Sequence, residues 1–70
     1  MKVVVVGATG NVGTAVVRAL TADDRVSEIV GFARRRPDWE RPKTTFVAAD
    51  VASDDLVPHL RGADAVVDLA

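Results

Sequence analysis

Four consecutive valines, Val3–Val6, lead directly into three glycines spaced three residues apart, Gly7, Gly10 and Gly13. A β-branched run without polar alternation is typical of a strand covered on both faces, as in a parallel sheet flanked by helices. Beyond the glycines the apolar period becomes that of an amphipathic helix. A strand, a glycine loop and a helix in this order predict the first unit of an α/β fold.

The first helix is predicted from about Asn11 or Val12 to about Ala22, before a polar turn. Its apolar residues follow the spacing i, i+3, i+4, i+7 and i+8, which predicts one buried stripe. The expected stripe consists of Val12, Ala15, Val16, Ala19 and Leu20.

Three further strands are predicted at about 27–33, 44–49 and 65–69, and a second helix at about 53–61. Ser53 is expected to cap the second helix and Gly62 to end it, while Pro58 makes its early part irregular. The order β-α-β-β-α-β predicts a parallel sheet with crossover helices. The chain leaves a buried-type strand at Ala70 without a turn or cap, which predicts a truncated domain.

Composition excludes several classes of protein. Seventy residues make one small domain, and a net charge of −1 argues against a general nucleic-acid binder. The absence of cysteine excludes disulfides and thiol chemistry, and a single histidine argues against a metal site. The apolar runs are shorter than a signal peptide or a membrane span requires, so a cytoplasmic protein with no membrane partner is expected.

The glycine loop has the chemistry of a phosphate site. A helix N-terminus presents unpaired N–H groups and a partial positive charge to an anion. Gly7 permits a sharp exit from the strand, Gly10 keeps side chains away from the phosphates, and Gly13 permits close packing of helix and strand. The same glycines in a simple tight turn are the alternative, but the strand and helix around them favour a Rossmann-type dinucleotide site.

Residues 4–13, VVVGATGNVG, resemble the opening of the short-chain dehydrogenase/reductase superfamily in its extended or atypical branch, the NAD-dependent epimerase/dehydratase family. The resemblance continues at Asp50-Val51 and at residues 65–70, and so covers the whole chain. It implies a doubly wound Rossmann sheet of which only the first part is present. Val6 stands where many members have threonine, as in some atypical ones.

The resemblance implies an adenine contact at Asp50 and Val51, and a cofactor contact at Leu69 and Ala70, where strand 4 ends. Helix capping or a loop role is the alternative for Asp50. Asp68 stands where members often have His or Asn, so a strand-end hydrogen bond and a cofactor contact remain open for it. Within the glycine loop, the candidates for cofactor binding are Gly7, Thr9, Gly10, Asn11, Val12 and Gly13.

The end of strand 2 predicts which cofactor is bound. A carboxylate there favours NAD(H), whereas an arginine accommodates the 2′-phosphate of NADP(H). Ala33 occupies the acidic position, and three arginines follow it. NADP(H) is therefore slightly favoured over NAD(H), with Arg34 and then Arg35 as the phosphate ligands, against a solvated basic loop.

Trp39 and His59 have several interpretations. Trp39 is expected to anchor its loop, although a contact with adenine or with a second subunit in a homodimer is also open. His59 is expected at the surface, since no catalytic partner for it is found in the sequence.

The resemblance implies catalysis by a Tyr-x-x-x-Lys pair, but the chain contains no tyrosine, and its lysines, Lys2 and Lys43, lie in no such motif. No catalytic or metal-binding residue is therefore predicted within residues 1–70. The first hypothesis is the cofactor-binding segment of an epimerase, dehydratase or reductase acting by hydride transfer on a sugar nucleotide or another small carbonyl or alcohol. The alternative is a non-catalytic NADP-binding regulator or redox sensor. A methyltransferase is disfavoured because Ala33 replaces its ribose-binding acid.

Overall fold

The computed structural model describes residues 1–50 and 53–69. Its elements follow the predicted order β-α-β-β-α-β, and all but the second helix end within about one residue of the predicted limits. They are β1 (Lys2–Val6), α1 (Asn11–Thr21), β2 (Glu28–Ala33), β3 (Thr44–Ala48), α2 (Val57–Leu60) and β4 (Ala65–Asp68).

The four strands form one parallel sheet in the order β3-β2-β1-β4. Val4 lies opposite Val30 of β2 on one side and Val66 of β4 on the other. The sheet therefore extends in both directions from β1, and the strand order reverses between β1 and β4. This is the predicted Rossmann-type doubly wound arrangement, in which ligands bind beyond the carboxyl ends of the strands at the reversal point.

The valine run of β1 is buried on both faces of the sheet. Val3 and Val5 belong to a core cluster on the face of α1, with Val17, Ile29 and Phe46. On the opposite face, a second cluster is formed by Val4, Val6, Val30, Phe32 and Ala49, against which Leu56 and Leu60 pack. A strand with two buried faces requires an uninterrupted apolar run, which explains the absence of alternation in β1.

The buried face of α1 differs from the predicted stripe. Gly13 and Val17 are buried, whereas Val12 is 63% exposed. Val16 and Leu20 are half-buried as expected, but Ala15 and Ala19 are exposed. The prediction was one residue out of phase because it did not count Gly13, which is buried although it has no side chain.

The second helix is shorter than predicted and begins at Val57 instead of Ser53. Pro58 has no N–H group, so it fits the first turn of a helix and not its interior. Asp54 accepts a hydrogen bond from the Asp50 amide (2.6 Å), and Asp55 accepts one from the Val57 amide (3.1 Å). The Asp54 carboxylate thus stabilises the turn after Asp50, and the Asp55 carboxylate binds the first amide of α2. Ser53 was predicted to have this capping role. The predicted stop is confirmed, since Gly62 takes a positive φ of 76° two residues after the helix ends.

In the part of the chain that the structure describes, neither helix has the length and apolarity that crossing a bilayer demands.

Candidate functional site

The chain turns sharply where it leaves β1. Gly7 takes a φ of 83°, a conformation that residues with a side chain rarely adopt. The amides of Gly7 and Ala8 both donate to the carbonyl oxygen of Phe32, at 3.0 Å each. The start of the glycine loop is therefore tied to the end of β2, and two of its N–H groups are already used.

Ala8 anchors the glycine loop on β2. Its side chain is fully buried and lies over Gly31 of β2. A Cβ atom on Gly31 would lie 2.9 Å from the Ala8 Cβ and 3.0 Å from the Phe46 Cδ1. Gly31 therefore leaves the space that Ala8 occupies, a role that the spacing of the glycine motif did not indicate.

Gly13 brings α1 against the loop. A Cβ atom at this position would lie 2.0 Å from the Gly7 carbonyl oxygen and 2.9 Å from the Ala8 backbone. Close packing at Gly13 was expected against the first strand, and the structure places it against the loop that leaves that strand. The helix can approach this closely only because residue 13 has no side chain.

Gly10 faces open space instead. It precedes α1 with extended backbone angles (φ −71°, ψ 174°) and provides no side-chain cap. A Cβ atom there would have one neighbour within 4 Å, the Gly7 carbonyl oxygen at 3.9 Å. A side chain at residue 10 would thus disturb little of the fold, but it would fill the space in front of the helix.

The first turn of α1 presents free backbone amides and the partial positive charge of a helix N-terminus. The first hydrogen bond of the helix runs from the Thr14 amide to the Gly10 carbonyl, at 2.8 Å. The amides before Thr14 in the helix therefore have no acceptor within it, and no acidic side chain lies in the first turn. Thr9, Gly10, Asn11 and Val12 are all exposed. Donors, positive potential and free space together fit the pyrophosphate of a dinucleotide.

The end of β2 adds positive side chains at the same edge of the sheet. Ala33 is 8% exposed and its carbonyl accepts the Ala49 amide at 2.8 Å, so β2 remains paired with the β3 segment to its last residue. Arg34, Arg35 and Arg36 follow and are exposed. Because β1 and β2 are neighbouring parallel strands, the arginines leave the sheet at the same edge as the glycine loop.

The three arginines differ in whether they border a cavity. Arg36 lines a cavity of about 320 Å³ beside Trp39, Thr44 and Phe46, whereas Arg34 and Arg35 do not line it. Arg34 and Arg35 remain the candidates for a ligand at the carboxyl edge, and Arg36 is a charge of the same loop that borders this cavity.

The structure describes two of the four residues that were predicted to contact the adenine or border the cofactor. Asp50 is exposed just beyond β3, and its backbone carbonyl accepts the Ser53 and Asp54 amides at 3.1 and 2.8 Å. Leu69 follows β4, is 38% exposed, and donates its amide to the Val6 carbonyl at 2.9 Å. Val51 and Ala70 lie outside the described residues.

Trp39 and His59 contact the protein through their rings. Trp39 is half-buried and meets Phe46 edge-on, with ring centroids 5.0 Å apart. His59 is exposed on α2 and contacts Phe32 in the same manner at 5.4 Å. Trp39 anchors its loop as expected, and His59 lies at the surface.

The shifted pKa values lie far from this edge. Hydrogen bonds from the Arg25 guanidinium and amide lower the pKa of Asp23 to about 2, and Asp23 in turn raises the pKa of Arg25. Both residues follow α1, at the amino ends of the strands. Residues 1–50 and 53–69 hold no cluster of three or more His, Cys, Asp or Glu side chains suited to a metal ion.

The model of one protein family, described as NAD(P)H-binding, matches residues 7–70. The chain belongs to this NAD(P)H-binding family. The match begins at Gly7, so it includes the whole glycine loop, and a nicotinamide dinucleotide is the ligand class of the family. This confirms the cofactor class that the glycine loop predicted. No curated protein sequence matches the chain.

Solved structures share the fold of this NAD(P)H-binding chain. It superposes on a UDP-glucuronic acid 4-epimerase from Bacillus cereus, solved in complex with NAD, with a TM-score of 0.83 and 24% identity. It also superposes on an oxidoreductase from Lactococcus lactis, with a TM-score of 0.82 and 28% identity. All of this chain is covered in both cases, but it spans only 26% and 32% of those proteins. The predicted resemblance to a dehydrogenase/reductase N-terminal segment is confirmed.

Proposed function

We propose that residues 1–70 form the N-terminal part of a single NAD(P)-binding domain in an enzyme of the extended short-chain dehydrogenase type. The enzyme would be an epimerase, dehydratase or reductase that transfers hydride to or from a sugar nucleotide or another small carbonyl or alcohol. The observation that carries the proposal is the open, amide-lined space at Gly10, in front of an uncapped helix N-terminus. Such a space accepts the pyrophosphate of the cofactor.

The bound dinucleotide would lie along the carboxyl edge of the sheet. The free amides of the loop, from Thr9 to Gly13, would hold the pyrophosphate, while Gly7 shapes the turn. Asp50 and Val51 would contact the adenine, and Leu69 and Ala70 would border the cofactor where β4 ends. These assignments are supported by strand order, since β3, β2, β1 and β4 all end at this edge.

NADP(H) is the proposed cofactor in preference to NAD(H). Ala33 ends β2 without a carboxylate, so nothing at this position repels a 2′-phosphate or binds a free ribose hydroxyl. The exposed guanidinium groups of Arg34 and Arg35 follow at once and can bind phosphate through paired N–H groups.

We expect Arg34→Ala to weaken NADPH binding by about 10- to 100-fold while NADH binding changes little, because a charge-assisted hydrogen bond contributes about 1.5–3 kcal/mol. Arg36→Ala is the matched control, since it removes the same charge from the same loop at a residue that lines the Trp39 cavity. Calorimetric titration of the intact variants with both cofactors measures the effect. Equal losses for NADPH and NADH in Arg34→Ala would exclude a 2′-phosphate role for Arg34.

The second candidate is a non-catalytic NADP-binding regulator or redox sensor. The 70 residues contain no tyrosine, so the acid/base residue that the resemblance implies is not among them, and they leave both candidates open. A Tyr-x-x-x-Lys pair elsewhere in the full-length protein favours the enzyme, and a full-length protein without one favours the regulator.

A further inference from the structure

We propose that Trp39 is a positioning residue for cofactor selectivity, which holds the segment 34–43, here called the arginine loop, so that Arg34 stays at the carboxyl end of β2. This inference rests on the proposed NADP preference. It assigns to Trp39 an indirect effect on the 2′-phosphate through the loop, without contact with the cofactor.

Trp39 ties the middle of the arginine loop to the protein core. Its ring meets the Phe46 ring edge-on, with centroids 5.0 Å apart and an angle of 79° between the planes. Phe46 is 7% exposed and belongs to the core cluster on the α1 face, against which Trp39 also packs. Edge-on aromatic pairs stabilise beyond the area they bury, so this contact holds residue 39 of the loop against the core.

The second half of the loop is held by several further contacts. The Arg41 guanidinium lies 4.5 Å from the Trp39 ring centre, a cation–π contact that covers the tryptophan. The Arg41 carbonyl accepts the Thr44 amide at 3.3 Å. The Lys43 ammonium donates to the carbonyls of Asp23 and Val26, at 3.3 and 3.0 Å. From Trp39 to β3, the loop is therefore held against the core and against the turn between α1 and β2.

The first half of the loop has no such fastening of its own. Residues 34–36 are exposed, and none of their side chains makes a hydrogen bond or ion pair with the described part of the chain. Their placement is set by the two ends of the segment, which are Ala33, whose carbonyl accepts the Ala49 amide, and Trp39.

Removing the Trp39 ring would lengthen the unfastened segment. With Trp39 in place it covers residues 34–38, and without the ring and its Arg41 contact it extends towards Lys43, about twice as far. Each doubling of a flexible loop costs an entropy equivalent to about threefold in an equilibrium constant. NADPH binding would be weakened by this entropy, because the 2′-phosphate must order Arg34 and the loop. NADH has no 2′-phosphate, so its binding would not be affected.

The test compares the intact protein with Trp39→Ala and Trp39→Phe, and measures the dissociation constants of NADPH and NADH for each. We expect Trp39→Ala to reduce the preference for NADPH about threefold, with the NADH constant unchanged. Trp39→Phe keeps an aromatic ring that can pack on Phe46, and it should retain the preference. If Trp39 had a purely structural role, Trp39→Ala would bind NADPH and NADH more weakly by the same factor. That result would overturn the inference.

A second measurement uses the native protein and does not depend on how Trp39→Ala folds. Coupling between two sites is reciprocal, so a 2′-phosphate that is bound through the loop must also stabilise the packing of Trp39. Acrylamide should quench Trp39 fluorescence less in the NADP⁺ complex than in the NAD⁺ complex, with Trp39→Phe as background. Equal quenching in the two complexes would contradict the coupling.

The inference and the proposed function fail in different ways. A selective loss of NADPH binding in Arg34→Ala, with an unchanged preference in Trp39→Ala, would overturn the role of Trp39 and leave the NADP assignment intact. A native protein without preference for NADPH would overturn both.

Discussion

A Gly10→Val variant is expected to fold normally and to lose the binding of both NADPH and NADH. A Cβ atom at residue 10 has one neighbour within 4 Å, so the larger side chain meets free space and not the core. That free space lies in front of the first-turn amides of α1, where the pyrophosphate would bind. Loss of two charge-assisted hydrogen bonds, at about 1.5–3 kcal/mol each, weakens binding by at least about 100-fold.

Calorimetric titration with both cofactors measures the loss, and thermal unfolding shows that the fold persists. Ala19→Val is the matched control, because it adds the same kind of branched side chain to an exposed position of the same helix. The control should bind both cofactors normally. Retained micromolar affinity in Gly10→Val would exclude the loop as the phosphate site.

Gly13→Ala is expected to do the opposite and destabilise the fold itself. Its Cβ would lie 2.0 Å from the Gly7 carbonyl oxygen, a backbone atom that is fixed by the turn leaving β1. Alanine improves helix propensity by up to about 1 kcal/mol, but overpacking typically costs 1–3 kcal/mol and here forces α1 away from the loop. With a contact this close the overpacking cost lies near the upper end of that range, so we expect a net loss of about 2 kcal/mol in the free energy of unfolding.

Urea unfolding of the Gly13→Ala and Gly10→Ala variants makes the comparison directly. The same methyl group added at Gly10, where its closest contact is 3.9 Å, should lower the free energy of unfolding by no more than about 1 kcal/mol, the difference between glycine and alanine as the N-cap of α1. Equal stabilities of the two variants would mean that α1 does not pack on the loop at Gly13.

The architecture was predictable because the pattern of apolar residues is strong where the chain is buried on both sides. The run Val3–Val6 indicates a central parallel strand, and β1 lies at the centre of the sheet with both faces covered. The apolar pattern was less informative where a glycine or a proline determines the packing or the length of a helix. It misplaced the buried face of α1 because Gly13 carries no hydrophobic side chain, and it overextended α2 because Pro58 fits only the first turn.

The glycine loop was predictable, but its supports were not. The spacing of Gly7, Gly10 and Gly13 predicts a phosphate site, and the structure gives each glycine a different environment. The Phe32 carbonyl, which accepts two loop amides, is a backbone group that no sequence pattern reveals. The contact of Gly31 with Ala8 depends on the register between β1 and β2, which the apolar pattern does not give.

The most direct test of the account follows the backbone amides of the ¹⁵N-labelled protein by NMR during titration with NADP⁺. The account predicts saturable shifts that are largest for Thr9, Gly10, Asn11, Val12 and Gly13. The amides of Gly7 and Ala8, already bonded to the Phe32 carbonyl, should move less. Saturable shifts that leave residues 9–13 unchanged, or no saturable shifts at all, would contradict the assignment of the glycine loop as the dinucleotide site.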